Sequence, residues 1–343
     1  MNIFQMKALR GLSAIVLLGM SANALTAQTQ TSRIVTAANN FLSALDQKQR
    51  QSVTFAYDDQ KQRVRWSNLP TTMVHRAGLN LGQLSAPQRS AAMAALSSAL
   101  STRGFEKVQQ IMEGDEVLKS KERNNPMFGK DLFYISFLGT PSERDPWILQ
   151  FGGHHLALNI TIGGDHGVLT PTLTGAQPAL YTVNGKTVRP LGQENDKAFA
   201  LLGALDENQR GQAILNYRVA DLVLGPGQDG KTIQPEGLKA STMNERQKTM
   251  LLDLIAEWAG IVHESAAAAR MAEIKAGIND TWFAWSGPTT VTPGRNGISY
   301  YRIQGPNLVI EYSPQPLGGD PSLHVHTMYR DPTNDYGRKL TAK

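Results

Sequence analysis

Residues 147–159, Trp147-Ile148-Leu149-Gln150-Phe151-Gly152-Gly153-His154-His155-Leu156-Ala157-Leu158-Asn159, set two apolar runs on either side of a Gly-Gly-His-His centre. Short apolar runs rich in branched and aromatic residues and broken by glycine read as paired strands. The arrangement returns as Tyr300-Tyr301-Arg302-Ile303-Gln304-Gly305-Pro306-Asn307-Leu308-Val309-Ile310-Glu311. Gly153 aligns with Gly305, Leu156 with Leu308, Leu158 with Ile310 and Asn159 with Glu311, each pair 152 positions apart. Upstream of each hairpin stands an aromatic strand-like run, Leu132–Gly139 (LFYISFLG) and Thr281–Gly287 (TWFAWSG). Each run ends in Gly and a turn containing Pro.

Further upstream, four segments share a helix-start pattern: Leu45–Arg50 (LDQKQR), Leu84–Arg89 (LSAPQR), Leu205–Arg210 (LDENQR) and Met243–Lys248 (MNERQK). In each, an apolar residue precedes Asp, Ser or Asn, with Gln three positions later, which is the signature of a capping box. Asp46 and Asp206 are 160 positions apart, and Ser85 and Asn244 are 159 apart. Matched order predicts an α+β fold made of internally duplicated helix–helix–antiparallel-strand units, about 35–180 and 195–340. The two repeats are expected to pack together as one structural unit in a pseudo-twofold arrangement, with a ligand site at their junction. Gly225–Gly237 reads as a Gly/Pro-rich loop, and Tyr181–Leu191 as a linker or hairpin turning at Asn184-Gly185.

The chain has 343 residues, 41% of them hydrophobic and 18% charged, an ordinary globular composition. It contains no cysteine, which excludes disulfide scaffolds, zinc ribbons and thiol nucleophiles. Residues 1–27 read as a signal peptide. Lys7 and Arg10 supply a positive start, Gly11–Met20 a short apolar run, and small residues precede cleavage after Ala24 or Ala27. The predicted address is therefore export, periplasmic or extracellular. The apolar run is too short to span about 30 Å of hydrocarbon, so no stable membrane insertion of the mature chain is expected. Loss of Lys7 and Arg10 lowers the formal charge from +5 to +3. With no basic stripe interleaved by aromatics, no nucleic-acid partner is expected.

Four of the seven histidines lie in two clusters, His154-His155 and His324-Val325-His326. In a strand, side chains at i and i+2 share a face, so His324 and His326 can converge on one metal. His154, His155 and Glu311 are the candidate further ligands. Adjacent histidines in a regular strand face opposite ways, so one of the pair would join the site unless Gly152-Gly153 forms a bulge. Two or three His plus one carboxylate would suit zinc, iron, manganese or copper. The alternative is a pair of strand histidines that are solvated or bonded to Asp320 or Asp331. Glu113, Asp115 and Glu116 read as a solvated helix end, and Trp282, Phe283, Trp285, Tyr300 and Tyr301 as core aromatics. No nucleophile elbow, His-Glu-x-x-His helix or dinucleotide fingerprint is present.

Several of these pieces resemble the DUF3500 family of exported proteins. They are Leu84–Arg89, Gly139-Thr140-Pro141-Ser142 with Trp147, Gly153-His154-His155-Leu156 with Asn159, Tyr301–Pro306, Ile310-Glu311-Tyr312, and His324-Val325-His326 through Arg330-Asp331. The resemblance spans nearly all of the mature chain. The family pattern places an Asn/Asp-rich run before the His-x-His pair. Here Ser313–Leu323 keeps Asp320 but lacks most of the amides. The family supplies no activity, so the resemblance implies only that both histidine clusters belong to a shared polar or metal site. The resulting expectation is a metal-dependent hydrolase of a small-molecule substrate. His154 or His155, His324 and His326 would hold a divalent metal, Glu311 would assist, and Arg330 would stabilise developing negative charge. The alternative is a non-catalytic periplasmic ligand- or metal-binding protein using the same cleft.

Overall fold

A computed structural model describes residues 28–317 and 319–340; the expected signal peptide, residues 1–27, lies outside the described residues. Among the described residues the helices are α1 (Gln30–Ser43), α2 (Gln47–Val53), α3 (Gln60–Arg63), α4 (Ala86–Ala99), α5 (Thr102–Lys121), α6 (Gly192–Ala204), α7 (Glu207–Ala213), α8 (Glu245–Ala259) and α9 (Glu264–Ala276). All four expected helix starts are present, at α2, α4, α7 and α8. The Gln side chain returns to the cap N–H at 3.1 Å on Asp46, 3.0 Å on Ser85, 3.1 Å on Asp206 and 2.9 Å on Asn244. These glutamines also bond to one another, Gln88 to Gln49 at 2.9 Å and Gln247 to Gln209 at 2.8 Å. A residue that finishes one helix start thereby fixes a second helix against it.

The strands are β1 (Thr54–Phe55), β2 (Leu79–Asn80), β3 (Tyr134–Leu138), β4 (Trp147–Gly153), β5 (Leu156–Gly163), β6 (His166–Val168), β7 (Thr172–Ala176), β8 (Tyr181–Val183), β9 (Lys186–Val188), β10 (Leu238–Lys239), β11 (Trp282–Ser286), β12 (Tyr300–Gly305), β13 (Leu308–Pro314) and β14 (Val325–Arg330). Twelve of them form one mixed sheet in the order β1-β3-β4-β5-β7-β14-β13-β12-β11-β10, with β2 on β3 and β6 on β5. Helices beside a mixed sheet make the fold α+β. The two hairpins aligned in sequence close with the same pairing register: Gly153 pairs with Leu156, and Gly305 with Leu308, across two-residue turns. At the middle, β7 and β14 pair antiparallel from Val325 opposite Ala176 to Tyr329 opposite Thr172. β8 and β9 form the expected separate hairpin. Asn184 and Gly185 both have positive φ there, 50° and 74°, as a tight two-residue turn requires.

Strand alternation divides the sheet into two unlike faces. One carries Ile135, Phe137, Leu149, Phe151, Leu158, Ile160, Phe283, Trp285, Tyr301, Ile303, Ile310 and Tyr312, all buried in the cores it shares with the helices. On that face Trp285, Tyr301 and Tyr312 stack at centroid spacings of 6.0 and 5.0 Å. Burying one such ring contributes roughly 1.5–3 kcal/mol. The opposite face carries Ser136, Gln150, Asn159, Met328, Arg330, Glu311 and Arg302, and residues 56–78 and 215–237 pack over it. Trp66 from the first segment packs with Ala157, Leu173 and Met328. Gln150, braced by Asn159, holds the first segment, its Nε2 donating to Arg63 O at 3.0 Å, while Glu311 holds the second. The histidine clusters meet at an end of this polar face, between the two segments.

Candidate metal centre

His154 and His155 are the turn between β4 and β5, so they do not alternate as strand residues would. Glycine is needed beside them because a Cβ on Gly152 would lie 2.3 Å from Leu156 O. His155 adopts φ 61°, a left-handed conformation that costs a non-glycine residue about 1–3 kcal/mol unless its surroundings enforce it. Two backbone bonds do so, His155 N–H to Asn68 O at 3.1 Å and Gly175 N–H to His155 O at 2.7 Å. Across the sheet, Gly175 stands opposite His326. A Cβ on Gly175 would lie 3.2 Å from His155 Cδ2, so its lack of a side chain leaves room for the imidazole.

The result is a three-histidine group. His155 Nε2 lies 2.9 Å from His324 Nε2 and 3.2 Å from His326 Nε2, and the last two are 3.1 Å apart. Nitrogens bound to one tetrahedral ion at about 2.0–2.1 Å would be separated by roughly 3.3 Å, close to this triangle. The rings are buried, at 3%, 6% and 5% exposure for His155, His324 and His326. His324 Nδ1–H donates to Leu317 O at 2.7 Å, which leaves its Nε2 as a lone pair directed at the other two. Burial pushes the His324 imidazole down to about 4, and the same desolvation, with the neighbouring imidazoles, holds His155 well below its ordinary value. Three ring nitrogens this close repel as bare lone pairs unless a cation or shared protons sit among them. Asp221 Oδ1 lies 3.7 Å from His326 Nδ1, and Asn68 Nδ2 lies 3.4 Å from both nitrogens of that ring. Asp221 belongs to the 215–237 segment and Asn68 to 56–78. The group is thus bordered by both coverings of the polar face.

The other expected site residues are engaged elsewhere. His154 turns its Nδ1 to Asp115 Oδ1 at 2.7 Å, and its ring packs between His155 and Phe128. Asp115 is itself 3% exposed and accepts from Gly129 N–H at 2.7 Å, so it is not a solvated helix end. β13 does pair with β14, but the register sets Ser313 opposite His326 and Glu311 opposite Met328. Glu311 is therefore one step further along the face. It accepts from Val223 N–H at 2.7 Å, Leu224 N–H at 2.8 Å and Tyr300 Oη at 2.7 Å. Arg330 is four residues beyond His326, roughly 13 Å along a strand. Its guanidinium donates to Leu224 O, Gly225 O and Asp335 at 2.7, 3.1 and 2.9 Å. Neither residue is brought to the three imidazoles, and both fasten the 215–237 segment to the sheet. Asp320 and Asp331, the carboxylates that could have occupied His324 and His326 instead, cap a turn and pair with Arg270.

Sequence reading took Asp115 for a solvated helix end and passed over Asn68 and Asp221. Asp115 carried a usable signal. It falls in register with Val108, Ile111, Met112 and Leu118, the buried stripe of α5. A carboxylate on an apolar stripe calls for a buried partner. Asn68 and Asp221 lie in irregular segments with no periodicity to mark them.

Fold and site together define a class: an α+β protein with one mixed sheet, helices on its apolar face, and a buried three-histidine group on its polar face. The chain belongs to the family described as Protein of unknown function (DUF3500), whose model matches residues 27–338. No curated protein and no solved structure matches it.

Proposed function

We propose that His155, His324 and His326 hold one divalent metal, and that the chain is a metal-dependent hydrolase of a small-molecule substrate. The observation carrying this reading is the convergence of three buried Nε2 atoms to 2.9–3.2 Å of one another. Three imidazoles suit zinc, copper or iron better than magnesium or calcium. A metal with three protein ligands and an open position supplies a water of lowered pKa. The chain's own residues orient the ligands: Leu317 O sets the tautomer of His324, and Asp221 faces Nδ1 of His326. The near-complete burial of the imidazoles favours, as a second reading, a non-catalytic metal-binding protein. We also propose export through residues 1–27, and an origin of residues 35–180 and 195–340 by duplication about a pseudo-twofold axis. The matched capping boxes and the shared pairing register of the two hairpins support that origin.

Elemental analysis of untagged protein tests the metal. One equivalent per chain, lost in His155→Ala, His324→Ala and His326→Ala, is the expected result. No metal at micromolar concentrations, with unaltered stability in those variants, would sink the proposal. Turnover on a panel of esters, phosphates and glycosides then divides hydrolase from binder.

A further inference from the structure

Residues 214–220 and the ends of β11, β12 and β13 border an open cleft of about 540 Å³. Ile214, Tyr217, Pro288, Ile298, Tyr300 and Pro314 supply its apolar wall. Three of these stand out to solvent, Ile214 at 36% exposure, Tyr217 at 46% and Ile298 at 52%. Exposed apolar side chains scattered singly need no explanation, but three gathered in one concavity lose their contact with water only when something enters it. A volume within the range of about 300–1,000 Å³ suits a small molecule.

The wall is fixed before any ligand arrives. Leu215 N–H donates to Trp285 O at 2.8 Å, Val219 N–H to Ser286 Oγ at 3.1 Å, and Ser286 Oγ to Tyr217 O at 2.9 Å. A preformed wall spares a ligand the cost of ordering it. Arg218 is the one charged residue among those lining the cleft, and it is exposed. The two acids bordering the cleft are engaged elsewhere. Glu236 accepts from Tyr217 Oη at 2.6 Å and pairs with Arg302 at 2.8 Å. Asp221, next in the chain to Ala220 of the cleft, accepts from Gln315 Nε2 at 2.8 Å and faces His326. The cleft thus joins an apolar wall to one positive charge that neither acid bonds.

We infer that this cleft is a binding site for an aromatic carboxylate, its ring system against Ile214, Tyr217 and Ile298 and its charge drawn to Arg218. The site is separate from the metal centre. Tyr301 pairs with Tyr312, and Ser313 with His326, so Tyr300 stands two strand spacings, roughly 10 Å, from His326 across the sheet. Binding in the cleft therefore does not rest on the metal reading.

Titration of the full chain, followed by NMR, tests it with naphthylacetate, naphthylmethylammonium and acetate. Naphthylacetate is expected to bind saturably, more tightly than the ammonium ion of like shape, and acetate not to saturate. Arg218→Glu should reverse that order, the ammonium ion then binding better than the acid. Ile298→Ser should weaken both aromatic ions by about fivefold or more, through lost apolar contact. Absence of saturable naphthylacetate binding, or an unchanged preference for the acid in folded Arg218→Glu protein, overturns the inference. Where circular dichroism shows that Arg218→Glu does not fold, Ile298→Ser decides, and an unaltered affinity there overturns it. Protein freed of metal by chelation and dialysis, and His324→Ala protein, should bind naphthylacetate as the parent does. Binding lost in both would put the acid on the metal and overturn this inference while sparing the metal reading. Binding kept in both, with no metal found by elemental analysis of the parent, would discard the metal reading alone.

Discussion

Glu311 and the three clustered histidines share one face of neighbouring strands, yet they do different work because of what reaches them. Two backbone N–H groups of the 215–237 segment arrive at Glu311, while the imidazoles meet one another. Burial pushes the Glu311 carboxyl up, opposed by the N–H groups of Val223 and Leu224 and the Tyr300 hydroxyl. Glu311→Ala should cost about 2–4 kcal/mol in urea denaturation, since buried donors would lose their acceptor. Asp221→Asn, by contrast, should leave stability nearly unchanged and weaken metal affinity by about 10–100-fold, the usual cost of a lost outer partner. The His154-His155 pair separates in the same way. His155→Gln should abolish metal uptake, and His154→Gln should preserve it while losing the Asp115 bond, both read by elemental analysis. Sequence alone offered both residues, expecting one of them at the site without choosing which. The choice is made by a positive φ at His155, which no spacing rule anticipates.

Elements were the most legible level, because caps and turns are satisfied within a few residues of themselves. Asp46, Ser85, Asp206 and Asn244 each begin a helix where the local pattern places one, and the paired hairpins turn at Gly153 and Gly305. The cap of α9 is His263. Its Nδ1 accepts from Ala266 N–H at 3.5 Å, and burial lowers its pKa from 6.5. Only the neutral ring can accept, and a charged ring would oppose the positive end of the helix. With the folded value below the unfolded one, this contribution is complete above pH 6.5 and lost as pH falls through the folded pKa. His263→Asn keeps the cap without the titration. Its stability to urea should match the parent's near pH 7.5, within about 0.5 kcal/mol. Between there and about pH 5 it should fall less than the parent's.

At the scale of the whole molecule, β7 and β14 carry the contact between the two sets of strands. Thr327 is central to it, its Oγ1 lying 2.7 Å from Thr174 Oγ1 and accepting from Trp258 Nε1 at 2.9 Å. One hydroxyl thus ties β14 to β7 and to α8. Thr327→Val should cost about 1–3 kcal/mol by stranding the indole N–H. Because one sheet runs through the seam, unfolding followed by tryptophan fluorescence and by circular dichroism should still give a single coincident transition. Two separated transitions would show that the sets of strands unfold independently.

What this sequence determined by itself is where helices start, where strands turn and which apolar residues share a face, since these depend on hydrogen bonds and periodicities a few residues long. It also narrowed metal ligation to His and carboxylate, because there is no cysteine. Which imidazoles meet was decided only by tertiary structure. His155 reaches His324 and His326 across separations of 169 and 171 residues, through a strand register, a glycine opposite and a strained turn. The same register carried Glu311 and Arg330 past the site. A two-residue offset along a strand moves a side chain about 7 Å, more than any ligand bond can span.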